Sequence, residues 1–368
     1  MKVIQLIPEM ESGGVERGTL ELARHLGELG HASRVVSGGG KLVGPLEACG
    51  TRHLALPVGR KRLSSLRLVP QLRQLFREER PDIVHVRSRV PAWLAFLAWR
   101  GMDPATRPRL VSTVHGFNSV NRYSEIMTCG ERVICVSESV RQHVLKHYPR
   151  ADPAKLRVVQ RGIDPAEYPH GYQPSAAWRE SFAREFPATV GKRLITLPGR
   201  ITRLKGHEDF ARIFQELAAD PRLHAVIAGG AHPRKAAYLG EIQARFDARG
   251  LADRVTFTGG RSDLREILAI STLVLSLTTQ PESFGRTTLE ALGLGVPVAG
   301  YDHGGVGEQL ARLYPAGRIP PNDPAAALPV IRTLLENPPP VPKEHPFTLR
   351  AMLDGTLAVY GELVAARS

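Results

Sequence analysis

Short apolar runs of strand length alternate with helix-patterned segments along this chain, and the alternation starts afresh near its middle. Lys2–Ile7 is the first run, and Gly13-Gly14 follows it. Val15–Leu29 then places Leu22, Leu26 and Leu29 on one helical face, and Gly30 closes the helix. Strands are expected at Ala32–Ser37, Asp82–Val86, Leu110–Val114, Arg132–Val136 and Arg157–Val159, with helices at Leu66–Arg77 and Ala92–Trp99. Asp164–Gly191, rich in Pro and Tyr, reads as a linker with a bridging helix. The pattern restarts with strands at Leu194–Pro198, Ala225–Ala228, Val255–Thr258, Leu273–Ser276 and Pro297–Gly300. Helices fall between them at Glu208–Ala218, Ala236–Arg249, Asp263–Leu268 and Thr287–Leu294, and a last one at Leu349–Ala365. Such alternation builds parallel sheets covered on both faces. The reading is α/β, with two Rossmann-like domains facing a central cleft, and 368 residues suffice for both. Ligands in such sheets bind at the carboxyl ends of the strands.

Two other classes are set aside on composition. No apolar run reaches the ~18–20 residues that span a bilayer, the longest candidate being Val90–Trp99. The N-terminus reads as a short strand followed by acidic residues rather than as a signal peptide, which predicts a cytoplasmic protein. Cys49, Cys129 and Cys135 form no CxxC pair and no zinc spacing, so they are expected to be small packing residues. The net charge of +13 lies mostly in the first half, where residues 1–170 hold 26 Lys and Arg against 16 Asp and Glu. Arg60, Lys61, Arg62, Arg67 and Arg73 share one stretch that has no acid. No nucleic-acid-binding signature accompanies these cations, nor are they interleaved with stacking aromatics. An anionic membrane face or a phosphorylated acceptor is the expected partner, and nucleic acid is not.

Three segments carry chemistry. Pro281-Glu282-Ser283-Phe284-Gly285-Arg286-Thr287-Thr288-Leu289-Glu290 sets two glutamates eight positions apart, the first in a loop and the second in a helix. Eight residues are slightly over two helical turns, which points both carboxylates roughly the same way. Loop and helix-start amides suit a diphosphate, and carboxylates suit hydroxyls. A nucleotide sugar has both kinds of group. Glu11-Ser12-Gly13-Gly14-Val15-Glu16 is a glycine turn between a strand and a helix, where backbone can approach phosphate; it is neither GxGxxG nor a P-loop. Pro198-Gly199-Arg200 followed by Lys205-Gly206 puts a planar cation and a point cation after a strand, where they can neutralise a leaving diphosphate.

Taken in order, these segments resemble the retaining glycosyltransferases of the large family-four group, which have the GT-B fold. Thr113-Val114-His115-Gly116 and Val136-Ser137-Glu138-Ser139 match further family segments. Arg161-Gly162-Ile163-Asp164 matches another, with Arg where Asn is usual, and Arg286 and Thr287 stand where small apolar residues are common. The resemblance implies an acceptor domain over 1–166, joined by a C-terminal helix (349–368) that crosses back to it, and a donor domain over 167–348. It implies that Glu282 bonds hydroxyls of the transferred sugar and that Glu290 holds the ribose. Arg200 and Lys205 would bind the diphosphate with help from Gly13 and Gly14. His115 would lie beside the sugar and Arg261 near the base. Phe284, Gly285, Arg286 and Thr287 would form the donor loop. A weaker likeness to surface-polysaccharide enzymes, around His85–Arg89 and Phe117–Tyr123, suggests Arg87, Arg89, Asn118 and Arg122 as acceptor contacts.

The expectation is a metal-independent retaining transferase without a cofactor. It would take a UDP-sugar in preference to a GDP- or ADP-sugar. It would glycosylate a lipopolysaccharide core or other surface glycan, lipid-linked or phosphorylated, at the inner face of the membrane. The alternatives are a sugar-nucleotide epimerase of similar shape and a non-enzymatic nucleotide-sugar-binding module.

Overall fold

A computed structural model of the chain describes residues 1–11, 13–231 and 236–366. The chain divides into two compact units, Met1–Gln160 with Arg350–Ser368, and Arg161–Leu349.

The first unit holds seven strands: β1 (Lys2–Leu6), β2 (Ala32–Ser37), β3 (Arg52–Ala55), β4 (Ile83–Val86), β5 (Arg109–Val114), β6 (Arg132–Cys135) and β7 (Leu156–Val158). They form one parallel sheet in the order β3-β2-β1-β4-β5-β6-β7. Its helices are α1 (Gly14–Glu28), α2 (Val43–Ala48), α3 (Leu68–Glu79), α4 (Arg89–Arg100), α5 (Arg122–Glu125) and α6 (Glu138–His147). The central strands are buried along nearly all of their length, as in Ile83–Val86, and take the buried polar residues Gln5, His85, Ser112 and Thr113 among their apolar ones. Ser137, part of the quoted Val-Ser-Glu-Ser turn, is the N-cap of α6 and accepts from the Val140 amide at 3.1 Å. A cap of this kind contributes ~1 kcal/mol.

The second unit holds α7 (Ala176–Glu185), β8 (Arg193–Pro198), α8 (His207–Leu217), β9 (Leu223–Ala228), α9 (Ala236–Asp247), β10 (Val255–Phe257), α10 (Leu264–Ala269) and β11 (Leu273–Ser276). It continues with α11 (Arg286–Gly293), β12 (Val298–Tyr301), α12 (Gly304–Leu313), β13 (Arg318–Ile319) and α13 (Pro324–Glu336). Its parallel sheet runs β10-β9-β8-β11-β12-β13. Ile195, Phe210, Phe214, Phe246 and Leu275 are fully buried in its core. His224 on β9 stays neutral there, because burial lowers its pKa to about 4, and its Nε2 lies 2.8 Å from Thr256 Oγ1.

The division falls at 160/161, six residues before the expected boundary. Ile163 forms a parallel bridge with Thr348, donates to Phe347 O at 3.2 Å and accepts from Leu349 N at 2.7 Å, which ties residues 161–166 to the second unit. The last helix, α14 (Leu349–Ala365), returns to the first unit from Arg350 onward. Tyr360 Oη and Thr113 Oγ1 bracket the buried His85 imidazole at 2.6 Å each. Glu362 accepts from Arg132 Nε at 2.7 Å and from Arg157 Nε at 2.9 Å.

Candidate active site

In the second unit the strand order reverses between β8 and β11, since β9 and β10 lie on one side of β8 and β11 to β13 on the other. The crevice beyond the carboxyl ends at such a reversal is where open α/β sheets bind ligands. The loop leaving β8 carries Arg200 and then a single turn over Arg203–Lys205. Gly206 ends that turn with φ 72°, and a Cβ there would stand 1.9 Å from Leu277 O. Only glycine accepts both that backbone conformation and that approach. The loop is therefore seated on the exit of β11, where Thr279 N donates to Leu204 O at 2.9 Å.

This seating brings Lys205 to Glu282. The Lys205 ammonium donates to a Glu282 carboxylate oxygen, and each side chain is about one quarter exposed, at 26% and 27%. The Glu282 loop is anchored by its neighbours. Phe284 buries its ring against Phe347, edge to face at 5.9 Å. Glu282 O accepts from Gly305 N at 2.7 Å, and Gln309 Nε2 donates to Phe284 O. Gly285 takes φ 84° and starts α11, which has no side-chain cap. The first intrahelical bond goes from Leu289 N to Gly285 O. The amides of Thr287 and Thr288 thus have no acceptor within the helix, the arrangement that favours an anion.

The two glutamates meet different cations. The helix begins at Arg286, so only Glu290 lies on it, and the four-residue spacing inside α11 sets Arg286 beside it. Arg286 Nε donates to Glu290 Oε1 at 3.0 Å, with the Glu290 side chain buried. Charge is therefore arranged as two ion pairs, Lys205–Glu282 and Arg286–Glu290.

A cavity of about 680 Å³ opens beside the first pair, lined by Arg200, Lys205, Glu282, Arg203, Tyr238 and Thr278 among others. This volume suits a nucleotide-sized ligand, within the ~300–1,000 Å³ of small-molecule sites. Arg203, Tyr238 and Thr278 were not singled out from sequence. The Arg203 guanidinium stands 4.7 Å over the Tyr238 ring and donates to Glu241 at 2.6 Å. Arg203 sits inside the Gly-Arg…Lys-Gly segment, a signal that was readable, whereas nothing local marks Tyr238. A narrow crevice continues from Lys205 and Glu282 to Thr287 and Thr288. His207, at the start of α8 behind this loop, has its pKa lowered to about 4, first by burial and further by the Lys205 charge.

Other expected site residues are engaged elsewhere. Arg261 donates to Asp263 at 2.7 and 2.9 Å and to Glu185 at 2.7 Å, bracing α7 against the start of α10. Its guanidinium is committed to two carboxylates, while Trp178 Nε1 donates to the same Asp263 at 2.8 Å. Phe284 gives its ring to the core.

Gly13, Gly14, His115, Arg87, Arg89, Asn118 and Arg122 all belong to the first unit. Gly13 is the N-cap of α1 and Gly14 its first residue. His115 directly follows β5. Arg87 is not a surface arginine: it is 6% exposed and its Nε donates to Gln5 Oε1 at 2.9 Å, with burial lowering its pKa. Arg89 Nη1 donates to Ser124 Oγ at 3.3 Å. The Asn118 backbone carbonyl accepts from Tyr148 Oη at 3.3 Å and lies 3.1 Å from His143 Nε2 on α6, which makes it a packing contact of that helix. Arg122 opens α5 and is exposed.

Comparison with known proteins fits this geometry. Residues 12–167 match the family model Glycosyltransferase Family 4, and residues 179–350 match Glycosyl transferases group 1. A D-inositol 3-phosphate glycosyltransferase of Jonesia denitrificans is 31% identical over 199 residues, 52% of this chain and 46% of its own length. The chain spans about half the length of the curated relatives it matches. A glycosyltransferase from Rickettsia africae superposes with a TM-score of 0.83 at 25% identity, over 98% of each chain. HepE of Anabaena, solved with UDP and glucose, superposes with a TM-score of 0.74 at 20% identity, over 100% of this chain and 97% of its own.

Proposed function

We propose that this chain, which belongs to the family-four glycosyltransferases of GT-B fold, moves a sugar from a nucleoside diphosphate to a hydroxyl of a surface-glycan acceptor, with retention at the anomeric carbon. The observation that carries the reading is the convergence of Arg200, Lys205 and Glu282 on one cavity at the reversal point of the second sheet, beside the uncapped start of α11. Two cations and a row of amides match a diphosphate. Carboxylates match sugar and ribose hydroxyls.

In the proposed step the bond between the anomeric carbon and the phosphate oxygen breaks, and its electron pair leaves with the diphosphate. The acceptor oxygen forms the new bond on the same face, and its proton passes to the departing phosphate. Arg200, Lys205 and the α11 amides stabilise the charge that develops on the leaving group. The incoming phosphate takes Lys205 from Glu282, which releases that carboxylate to a sugar hydroxyl. Glu290 serves the ribose. For His115, Gly13 and Gly14 the proposed roles rest on their motifs alone.

A UDP-sugar is the proposed donor, a choice supported by the UDP bound to the Anabaena neighbour. A phosphorylated or lipid-linked glycan at the cytoplasmic face of the membrane, such as a lipopolysaccharide core, is the proposed acceptor. The relative from Jonesia denitrificans, named for inositol 3-phosphate, and the basic first half of the chain support it.

The test is release of nucleoside diphosphate from UDP-, GDP- and ADP-sugars, with NMR of the product glycoside and with chelator added. UDP-sugar should turn over fastest, with retention and without loss to the chelator. Lys205→Ala should lower turnover ~10²–10³-fold, the usual effect of losing one donor to a developing oxyanion, with thermal stability near wild type. Wild-type turnover in that variant would remove the diphosphate role.

A further inference from the structure

The first unit carries an apolar groove of about 370 Å³ that the glycosyl-transfer chemistry does not use. Its floor is Leu94, Leu97, Val90 and the Trp93 ring from α4, and its outer wall is Leu63 and Leu66. Leu63 is 88% exposed and Leu66 50% exposed. These leucines are held in place by a built turn. Ser65 is buried and its Oγ donates to Arg60 O at 2.7 Å, and Ser65 N donates to Arg62 O at 3.0 Å. Arg60, Lys61 and Arg62 stand at the rim, with Lys61 Nζ 4.7 Å over the Tyr123 ring, and no acidic residue lines the groove.

Two of the polar groups in the lining already have partners within the protein. Trp93 Nε1 donates to Tyr123 O at 3.0 Å, and Ser65 Oγ is engaged as above. A hydrocarbon chain asks for no hydrogen bond, and the rim of three cations asks for an anion next to it. Exposed leucines flanked by Lys and Arg also suit the boundary between headgroups and acyl chains. Among the described residues no helix is long and apolar enough to cross a membrane, so any such contact is made from the surface.

We propose that this groove receives one acyl chain of an anionic bilayer phospholipid, with the lipid phosphate held by Arg60, Lys61 and Arg62. The proposal builds on the membrane-side placement given above. Its test reads lipid and not nucleotide, so the two can fail separately.

The experiment is co-sedimentation with phosphatidylcholine vesicles, with and without phosphatidylglycerol, followed by tryptophan fluorescence with brominated acyl chains. Binding should require phosphatidylglycerol and fall with salt. Leu63→Ser with Leu66→Ser should weaken it at least about tenfold, since two exposed leucines lose their burial in lipid. The full chain keeps its uridine diphosphate affinity by calorimetry in that variant. Brominated lipid should quench emission in the wild type, and Trp93→Phe should abolish that quenching while Trp99 and Trp178 still report a folded chain. Wild-type protein left in the supernatant overturns the proposal. So does salt-sensitive binding without quenching of Trp93, which is adhesion by charge alone. A concentration-dependent dimer lost in the leucine variant also overturns it, because the occupant is then a second copy.

Discussion

Glu282 and Glu290 are the same residue type in one short segment, yet their surroundings differ. Glu282 is partly open to the cavity and held by Lys205; Glu290 is buried on α11 and held by Arg286. Under the role proposed for Glu290 at the ribose, Glu290→Ala should weaken binding of bare uridine diphosphate. Glu282→Ala should leave that binding nearly unchanged, since it also frees Lys205 for the phosphate, and should lower turnover of the sugar donor. Calorimetry with the diphosphate and a turnover assay on both variants separate the roles, and equal losses of affinity would refute the assignment. At this scale the sequence marks which residues can carry charge but not which of them are already neutralised. Arg261 meets Glu185 across 76 positions, and Arg87 meets Gln5 across 82. Those distances in sequence hid that one is a brace and the other an interior residue. Gly-Arg…Lys-Gly and Glu-Ser-Phe-Gly were legible because each packs its chemistry into a few consecutive residues.

Elements were legible where apolar residues carry a strand or helix pattern. β2, β11 and α14 fall on the expected residues, since their apolar patterns have no competing signal. Elements of mixed character did not show. β3, Arg-His-Leu-Ala, is an edge strand with exposed ends. α12 opens on Gly304-Gly305, which reads as a loop. Yet a Cβ on Gly305 would stand 2.3 Å from Phe284 Cα, so the glycine is there to let the helix start press on the Glu282 loop. α13 contains Pro324 and Pro329, a pair that reads as a break. Asp323 caps it through Ala326 N at 2.9 Å, and Pro324 sits in the first turn, where its missing N–H has no helical acceptor to lose. The return of α14 to the first unit uses its buried apolar face, the Glu362 pairs and one buried polar contact, Tyr360 with His85. Tyr360→Phe removes that hydroxyl and leaves a buried imidazole nitrogen unsatisfied, a loss of ~1–3 kcal/mol. Denaturant unfolding of the variant should show it as a lower midpoint at unchanged slope. A shift too small to resolve would mean that α14 is held by its apolar face and the Glu362 pairs.

At the scale of the whole molecule, both units bury neutral histidines, and this sets how the protein answers acid. His207 and His224 in the second unit each have a pKa lowered from 6.5 to about 4, first by burial. His85 in the first unit is lowered well below its ordinary value, by burial and then by the Arg87 charge. In the unfolded chain all three titrate near pH ~6.5. Between that pH and about 4 the unfolded state therefore binds more protons than the folded one, so stability rises with pH across the window and is lost as pH falls through it. Each of the two histidines in the second unit contributes at most roughly 3 kcal/mol to that loss. The paired carboxylate Asp263, held down to about 2 first by its bond to Arg261, acts only further down, as pH falls from 3.8 through 2. Melting temperature should thus be flat above pH ~7 and fall steadily from pH ~6.5 to ~4.5, before the carboxylates take part. His207→Asn together with His224→Gln removes two of the titrating groups. That double variant should start less stable at neutral pH but decline less steeply over the same window. An unchanged slope in the double variant would place the acid sensitivity on other groups.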